Sequence, residues 1–272
     1  MDTPSAPPPL SVPPVPGKPE AVLRVLRTTG LGLLRGRRGA ALGGLVLVPL
    51  ILMLAGRLAG GTRGMGTLFF TRTLVPSFHY IDLVVFLFLG CSILGEGISE
   101  GSLIYDLACP LRRSAVFTGR FLAYLFSAWL LVLPAVTLAY GVCMAPLGGE
   151  AVVRGVPLLS ALLAVTAVGA AVYGAFFVLL SLLMKRAVLV GIVLAVAVDG
   201  FLAFLPLRLS HLSPQVHLRN VAARLASEPR LLEMVEGVTV QVPFTTSVVV
   251  LALAFLCFFA AGIVLFQGKE FP

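Results

Sequence analysis

The sequence has little charge and few of the residue patterns that build catalytic or metal sites. Of its 272 residues 12% are charged and 58% are apolar, whereas soluble domains carry roughly 25% charged residues. The sequence lacks a GxxxxGK[ST] phosphate-binding loop and an HExxH helix, so it has no ATP-binding loop of its own and no zinc-hydrolase helix. Residues 97–101 read GISEG, which matches GxSxG, but they follow a long apolar run and not a predicted strand, so the strand–turn–helix context of a nucleophile elbow is missing. These absences, with a mean hydropathy of +1.03, point away from a soluble enzyme and toward a membrane protein.

Cysteine and histidine are also scarce. The four cysteines, at positions 91, 109, 143 and 257, show no CxxC spacing, which argues against a disulfide framework or a zinc site. The three histidines are His79, His211 and His217, and the last two are six residues apart, a spacing that does not place them on one helix face. We therefore expect ordinary loop histidines and no metal or other cofactor.

The sequence is rich in long apolar runs. A membrane-spanning helix needs about 20 mostly apolar residues, and the runs lack the alternating pattern of barrel strands. The sequence predicts an all-α membrane protein with one bundle of six transmembrane helices, at residues 40–59, 78–95, 117–140, 157–183, 187–206 and 244–266.

The N-terminal region divides into two parts before this bundle. Residues 1–19 contain eight prolines and are predicted to be a disordered tail. Residues 20–38 place Arg24, Arg27 and Arg35 on one side of a helix, which is typical of an interfacial helix on the membrane surface. The alternative is that these arginines are topology anchors alone. Residues 39–272 form the predicted transmembrane domain.

Orientation follows from the distribution of positive charge. Arginine and lysine are denser in the N-terminal segment, the 96–116 connection, the Met184–Arg186 turn and the tail than in the other connections. By the positive-inside rule, both termini are predicted to be cytoplasmic. We assign the net charge of +8 to topology and to attraction toward anionic lipid headgroups rather than to nucleic acid.

Two acidic residues fall inside predicted spans. Asp82 and Asp199 are candidates for a substrate path, because ionisable groups in a membrane are costly and usually functional. Plain alternatives are that Asp82 lies near enough to the interface to stay hydrated and that Asp199 pairs with an arginine such as Arg57.

The connection before the last span, residues 207–243, is too long for a simple turn. Ser213 and Pro214 form a typical helix start, and apolar residues then recur at helical spacing. We predict one amphipathic helix from there and a second at residues 229–236, which lie on the outer membrane surface or dip into it. The alternative is a solvated loop.

A charged segment between the second and third spans carries the strongest functional pattern. We expect acidic residues to close the second span, Gly101 to break it, Ser102 to cap a short helix over residues 103–109, and Pro110 to end that helix. The residues of the pattern are Glu96, Glu100, Gly101, Ser102, Pro110, Arg112, Arg113, Gly119 and Arg120. They predict a docking surface on the cytoplasmic face, and the alternative is that they are charged anchors at span ends.

This order of residues resembles the permease family of ABC-type-2 exporters, whose pattern after the second span is an acid, E-x-G-T-L, a short helix, P-x-x-R and G-K. Ser102 replaces the threonine and Arg120 the lysine. The resemblance implies a bacterial plasma-membrane permease, paired with itself or with a sister permease, and docked on a separate cytoplasmic ATPase through these nine residues. It does not imply a substrate.

Two other classes remain open. A membrane enzyme requires clustered polar residues at one membrane depth, which the sequence does not reveal. A self-standing secondary transporter or channel usually has inverted repeats or several intramembrane charges, whereas the predicted spans contain two isolated acids. ATPase co-purification supports the exporter, and ATP-independent flux by the isolated chain supports the transporter.

Overall fold

The computed structural model describes residues 18–35, 37–60, 75–99, 112–184, 186–195, 213–226 and 242–269. This part of the chain is helical and contains no strand. Its α-helices are α1 (Lys18–Arg35), α2 (Arg37–Gly60), α3 (Val75–Ser99), α4 (Arg113–Met144), α5 (Gly149–Arg154), α6 (Val156–Leu183), α7 (Ala187–Ala195), α8 (Pro214–Ala226) and α9 (Phe244–Gly268).

Three of these helices, α4, α6 and α9, are long and apolar enough to cross a membrane. Shorter apolar stretches lie within α2 at Gly39–Ile51 and within α3 at Tyr80–Gly95. Helices therefore occupy each of the predicted span positions, with α7 described for nine residues. The all-helical membrane class is supported, and the count of six spans stays a prediction.

Contacts between the long helices show their relative directions. Along α3 and α6, Phe86 lies near Gly169 and Gly90 lies against Phe177, so these helices run in parallel. On α4, Tyr124 donates to the Ala170 carbonyl and Trp129 donates to the Ala167 carbonyl, so α4 runs antiparallel to α6. These directions agree with an alternating arrangement of consecutive spans.

The core is centred on α4. Tyr124 is fully buried, its hydroxyl donates to the Ala170 carbonyl at 2.8 Å, and its ring fills the space beside Gly174, where a Cβ would overlap it. On another face of α4, aromatic rings interlock with α9. The ring pairs include Phe121 with Phe259 at 5.0 Å and Phe117 with Phe266 at 5.7 Å between centroids, distances at which aromatic pairs attract.

Helix α1 packs on the bundle, beside α4. A Cβ on Gly119 would lie 2.9 Å from Val25 Cβ, and Gly30 lies near Ser127. Val25 is buried, whereas Arg24 and Arg27 are exposed. The polar side of the predicted interfacial helix therefore faces away from the protein, and its apolar side is committed to α4 rather than free for lipid.

Candidate functional site

Arg113 joins the first turn of α4 to the last turn of α9. The side chain is exposed, and Nη1 donates to the carbonyl oxygens of Gln267 and Lys269, each at 3.0 Å. The last carbonyls of a helix have no partner within the helix and carry partial negative charge. A guanidinium is therefore well suited to this position.

Lys269 extends the connection to a third helix. Its Nζ donates to the carbonyl oxygen of Leu182, in the last turn of α6, at 2.6 Å. Through Arg113 and Lys269, the start of α4 and the ends of α6 and α9 are tied at one end of the bundle. We call this end, defined by Arg113, Leu182, Gln267 and Lys269, the Lys269 end.

Gly119 and Arg120 lie inside the bundle and not on an exposed surface. Gly119 allows α1 to approach α4, because a Cβ there would meet the Val22 carbonyl oxygen at 3.1 Å as well as Val25. Arg120 is 6% exposed, and its Nη1 donates to the carbonyl of Ile93 at 2.9 Å. Both residues of the predicted docking pattern are therefore packed against other helices of this chain, and their role in coupling stays a prediction.

The other residues of the pattern are placed in part. Arg112 is exposed and directly precedes α4, and the backbone of Glu96 lies in the last turn of α3. Glu100, Gly101, Ser102, Pro110 and the predicted helix at 103–109 lie outside the described residues.

Asp82 is buried in α3, at 5% exposure, which corrects the alternative that it is hydrated at the interface. Its Oδ1 has no hydrogen-bond partner among the described residues. Asp199, the other acid predicted for the substrate path, lies outside them.

Helix α8 penetrates the bundle alongside α6. Tyr173 Oη lies 3.5 Å from Gln215 Oε1 at the start of α8, and Leu218 lies beside Gly169, so α8 runs antiparallel to α6. Tyr173 is ten residues from the end of α6, about 15 Å along the axis, or half of a roughly 30 Å hydrocarbon layer. Of the two predicted placements, on the membrane or dipping into it, this depth favours the second.

A buried polar network fixes α8 to the start of α9. Asn220 Nδ2 donates to Ser247 Oγ and to the Val242 carbonyl, each at 2.8 Å. His217 Nδ1 lies 3.2 Å from Ser247 Oγ. Arg224, which is exposed, borders the network and donates to Asn220 Oδ1 and to the Val242 carbonyl, at 3.2 and 3.3 Å.

The sequence alone does not predict this network. His217 was expected to be an ordinary loop histidine, but it is 2% exposed in a helix, so that prediction is wrong. A signal was present, because Gln215, His217 and Asn220 interrupt a segment whose apolar spacing already predicted a helix. That interruption alone does not distinguish burial against polar partners from exposure to solvent, and the partners in α9 lie about 30 residues away in the chain.

Within the described residues, no group of three or more His, Cys, Asp or Glu side chains could hold a metal ion. The chain matches no known family model, no curated protein and no solved structure.

Proposed function

We propose that the chain is the permease subunit of an ABC-type-2 exporter, which moves a substrate across the membrane with ATP hydrolysed by a separate cytoplasmic ATPase. On this proposal the chain itself is not an enzyme. The observation that carries the proposal is the set of hydrogen bonds at the Lys269 end. Arg113, which donates two of these bonds, lies in the segment whose residue order resembles that family.

Those bonds provide a route for mechanical coupling. A partner that pushes on residues 100–112 displaces the start of α4, and Arg113 transfers the displacement to the end of α9. Lys269 then transfers it to the end of α6. Movement of three long helices together is what conversion of ATP-driven closure into transport requires, because packed helices move as rigid elements.

Assembly and location complete the proposal. Two copies of the chain, or one copy and a sister permease, line the substrate path, and the subunit resides in a bacterial plasma membrane with both termini in the cytoplasm. We assign the path to the buried Asp82, to the α8 network and to Asp199, which falls in a predicted span, since ionisable and polar residues within membranes are usually functional.

The test is co-purification of an ATPase from membranes of the source bacterium in mild detergent. Wild type should retain a subunit with ABC ATPase activity, whereas Pro110→Ala and Arg113→Glu should lose the subunit or its coupled turnover. Arg154→Glu is the matched control, because Arg154 is an exposed arginine at the end of α5, just before the start of α6 and away from the Lys269 end, and it pairs with Glu150 at 2.6 Å. Normal ATPase binding and turnover by both test variants would contradict the coupling role.

A second candidate is a self-standing secondary transporter or channel. The buried Asp82 carboxylate favours it, since Oδ1 lacks a partner among the described residues. Substrate flux through the purified chain in vesicles without ATP or ATPase would establish this function in place of the first.

A further inference from the structure

We infer that the exposed face of α1 binds the phosphate of an anionic phospholipid in the membrane leaflet at the Lys269 end. The donors are Arg24 and Arg27, and the adjacent Leu23 contacts the acyl chains of the same lipid. This site is separate from the proposed transport function and does not depend on it.

A single helix holds the two arginines together. Arg24 and Arg27 are three residues apart in α1, a spacing that makes side chains neighbours on one face of a helix. Both are exposed, whereas Val25 between them is buried against α4. Since a guanidinium presents several N–H donors to phosphate oxygens, one phosphate can bind both side chains.

Both guanidinium groups are available for a ligand. Neither forms a hydrogen bond or an ion pair with any other residue of the described part of the chain. The bond from Thr28 Oγ1 to Arg24, at 3.1 Å, uses only the Arg24 carbonyl. Glu20, one turn before Arg24, is exposed and does not pair with it. Two arginines and one acid therefore leave this face with net positive charge.

The packing of α1 on α4 shows how deep these arginines lie. A Cβ on Gly119 would approach Val25 Cβ to 2.9 Å, and Gly30 lies near Ser127, so α1 runs parallel to α4. Gly119 is six residues after the start of α4, about 9 Å along the axis. The two arginines are therefore beside the second and third turns of α4 and not beyond its end.

Helix α9 indicates that lipid reaches the same depth. Its rings pair with those two turns of α4, Phe266 with Phe117 and Phe259 with Phe121, at 5.7 and 5.0 Å between centroids. Between these two rings of α9, Val264 is 67% exposed. Because α9 is apolar enough to cross a membrane, an exposed aliphatic side chain at this position contacts acyl chains. The arginines of α1 therefore lie at the edge of the apolar layer.

An arginine at this depth is best matched by a lipid phosphate. Charged groups are costly in the hydrocarbon layer, and long basic side chains near its edge extend toward the headgroups. The phosphate of a lipid is joined to its acyl chains, which can cover Leu23, 65% exposed beside Arg24. An acidic soluble protein complements the charge but leaves Leu23 uncovered. The net positive charge of the face favours lipids of net negative charge.

Native mass spectrometry of the full chain with defined lipids tests the inference. Phosphatidylglycerol and phosphatidylcholine with identical acyl chains are titrated separately. Wild type should bind phosphatidylglycerol more tightly. The double variant Arg24→Gln, Arg27→Gln should lose roughly 25-fold in affinity for it, because each basic residue near an anionic headgroup contributes about fivefold. The double variant Arg24→Lys, Arg27→Lys keeps both charges and should retain the preference.

Arg154→Gln is the control, since it removes an exposed arginine at the end of α5, away from the Lys269 end, and should leave the preference unchanged. Equal binding of the two lipids by wild type would overturn the inference, as would a double glutamine variant that keeps the preference. Displacement of phosphatidylglycerol by excess inorganic phosphate would show a free-anion site instead. Loss of an acidic protein partner by the glutamine variant, with its lipid binding unchanged, would assign the face to protein docking.

Discussion

At the Lys269 end, exposed arginine and lysine side chains bind main-chain carbonyls. Between α8 and α9, the buried side chains of His217, Asn220 and Ser247 contact one another, and Asn220 also binds the Val242 carbonyl. Arg113 and Lys269 can exchange their protein partners for water when a helix moves. Asn220 and Ser247 cannot, because they are 6% and 0% exposed.

The difference shows how burial sets the energetic role of a polar contact. A hydrogen bond replaced by water changes stability little, whereas a buried group that loses its partner costs about 1 to 3 kcal/mol. The Lys269 end is therefore suited to repeated rearrangement, and the α8 network is suited to hold a helix in one position. Substitutions at four positions can break or sharpen this contrast.

Asn220→Ala should have the largest effect. It removes both donors to Ser247 and Val242 and the acceptor of Arg224. At about 1 to 3 kcal/mol for each group left without a partner, the apparent Tm in detergent should fall by roughly 5 °C or more. Thermal unfolding followed by size-exclusion chromatography measures it.

The control for this variant is Ser160→Ala. Ser160 Oγ donates to the Pro157 carbonyl at 2.9 Å but is exposed, so its loss should change Tm by less than about 1 °C. Equal effects of the two substitutions would remove the distinction between buried and exposed contacts.

Arg120→Met tests an intermediate case, a buried side chain that binds a main-chain carbonyl. The side chain is similar in length but leaves the Ile93 carbonyl without this donor, so the free energy of unfolding should fall by about 1 to 3 kcal/mol. Arg120→Lys should recover part of the loss. Unchanged stability with lost ATPase coupling would instead return Arg120 to the docking role that its sequence pattern predicts.

The smallest effect is expected for Arg113→Gln and Lys269→Gln. Each variant weakens an exposed contact at a helix end, worth about 0.3 to 1 kcal/mol, so Tm should barely change. Hydrogen–deuterium exchange at residues 264–269 should nevertheless increase, because the end of α9 loses its connection to α4 or α6. A large loss of Tm, comparable to that of Asn220→Ala, would show that the Lys269 end is rigid rather than adjustable.

Prediction from sequence succeeded for the long apolar helices and for the start of α8, and it fell short at the candidate sites. Arg113 and Arg120 have the same charge and lie seven residues apart in one helix, yet the first is exposed at a helix end and the second is buried. A separation of seven residues places the two side chains on the same side of α4, two turns apart. The position at which α3 ends determines which of these two turns of α4 is buried. The sequence of α4 does not indicate where α3 ends.

The sequence by itself determined the helical membrane character of the chain, because apolar runs of that length require internal hydrogen bonding in lipid. It also determined that α8 begins at Pro214, since a proline after serine suits a first turn. Only the tertiary structure decided that α8 begins half-way along α6, that α1 belongs to α4, and that Asn220 meets Ser247. The physical reason is distance along the chain: a helix is specified by neighbouring residues, whereas its depth and its polar partners are specified by the surfaces of other helices.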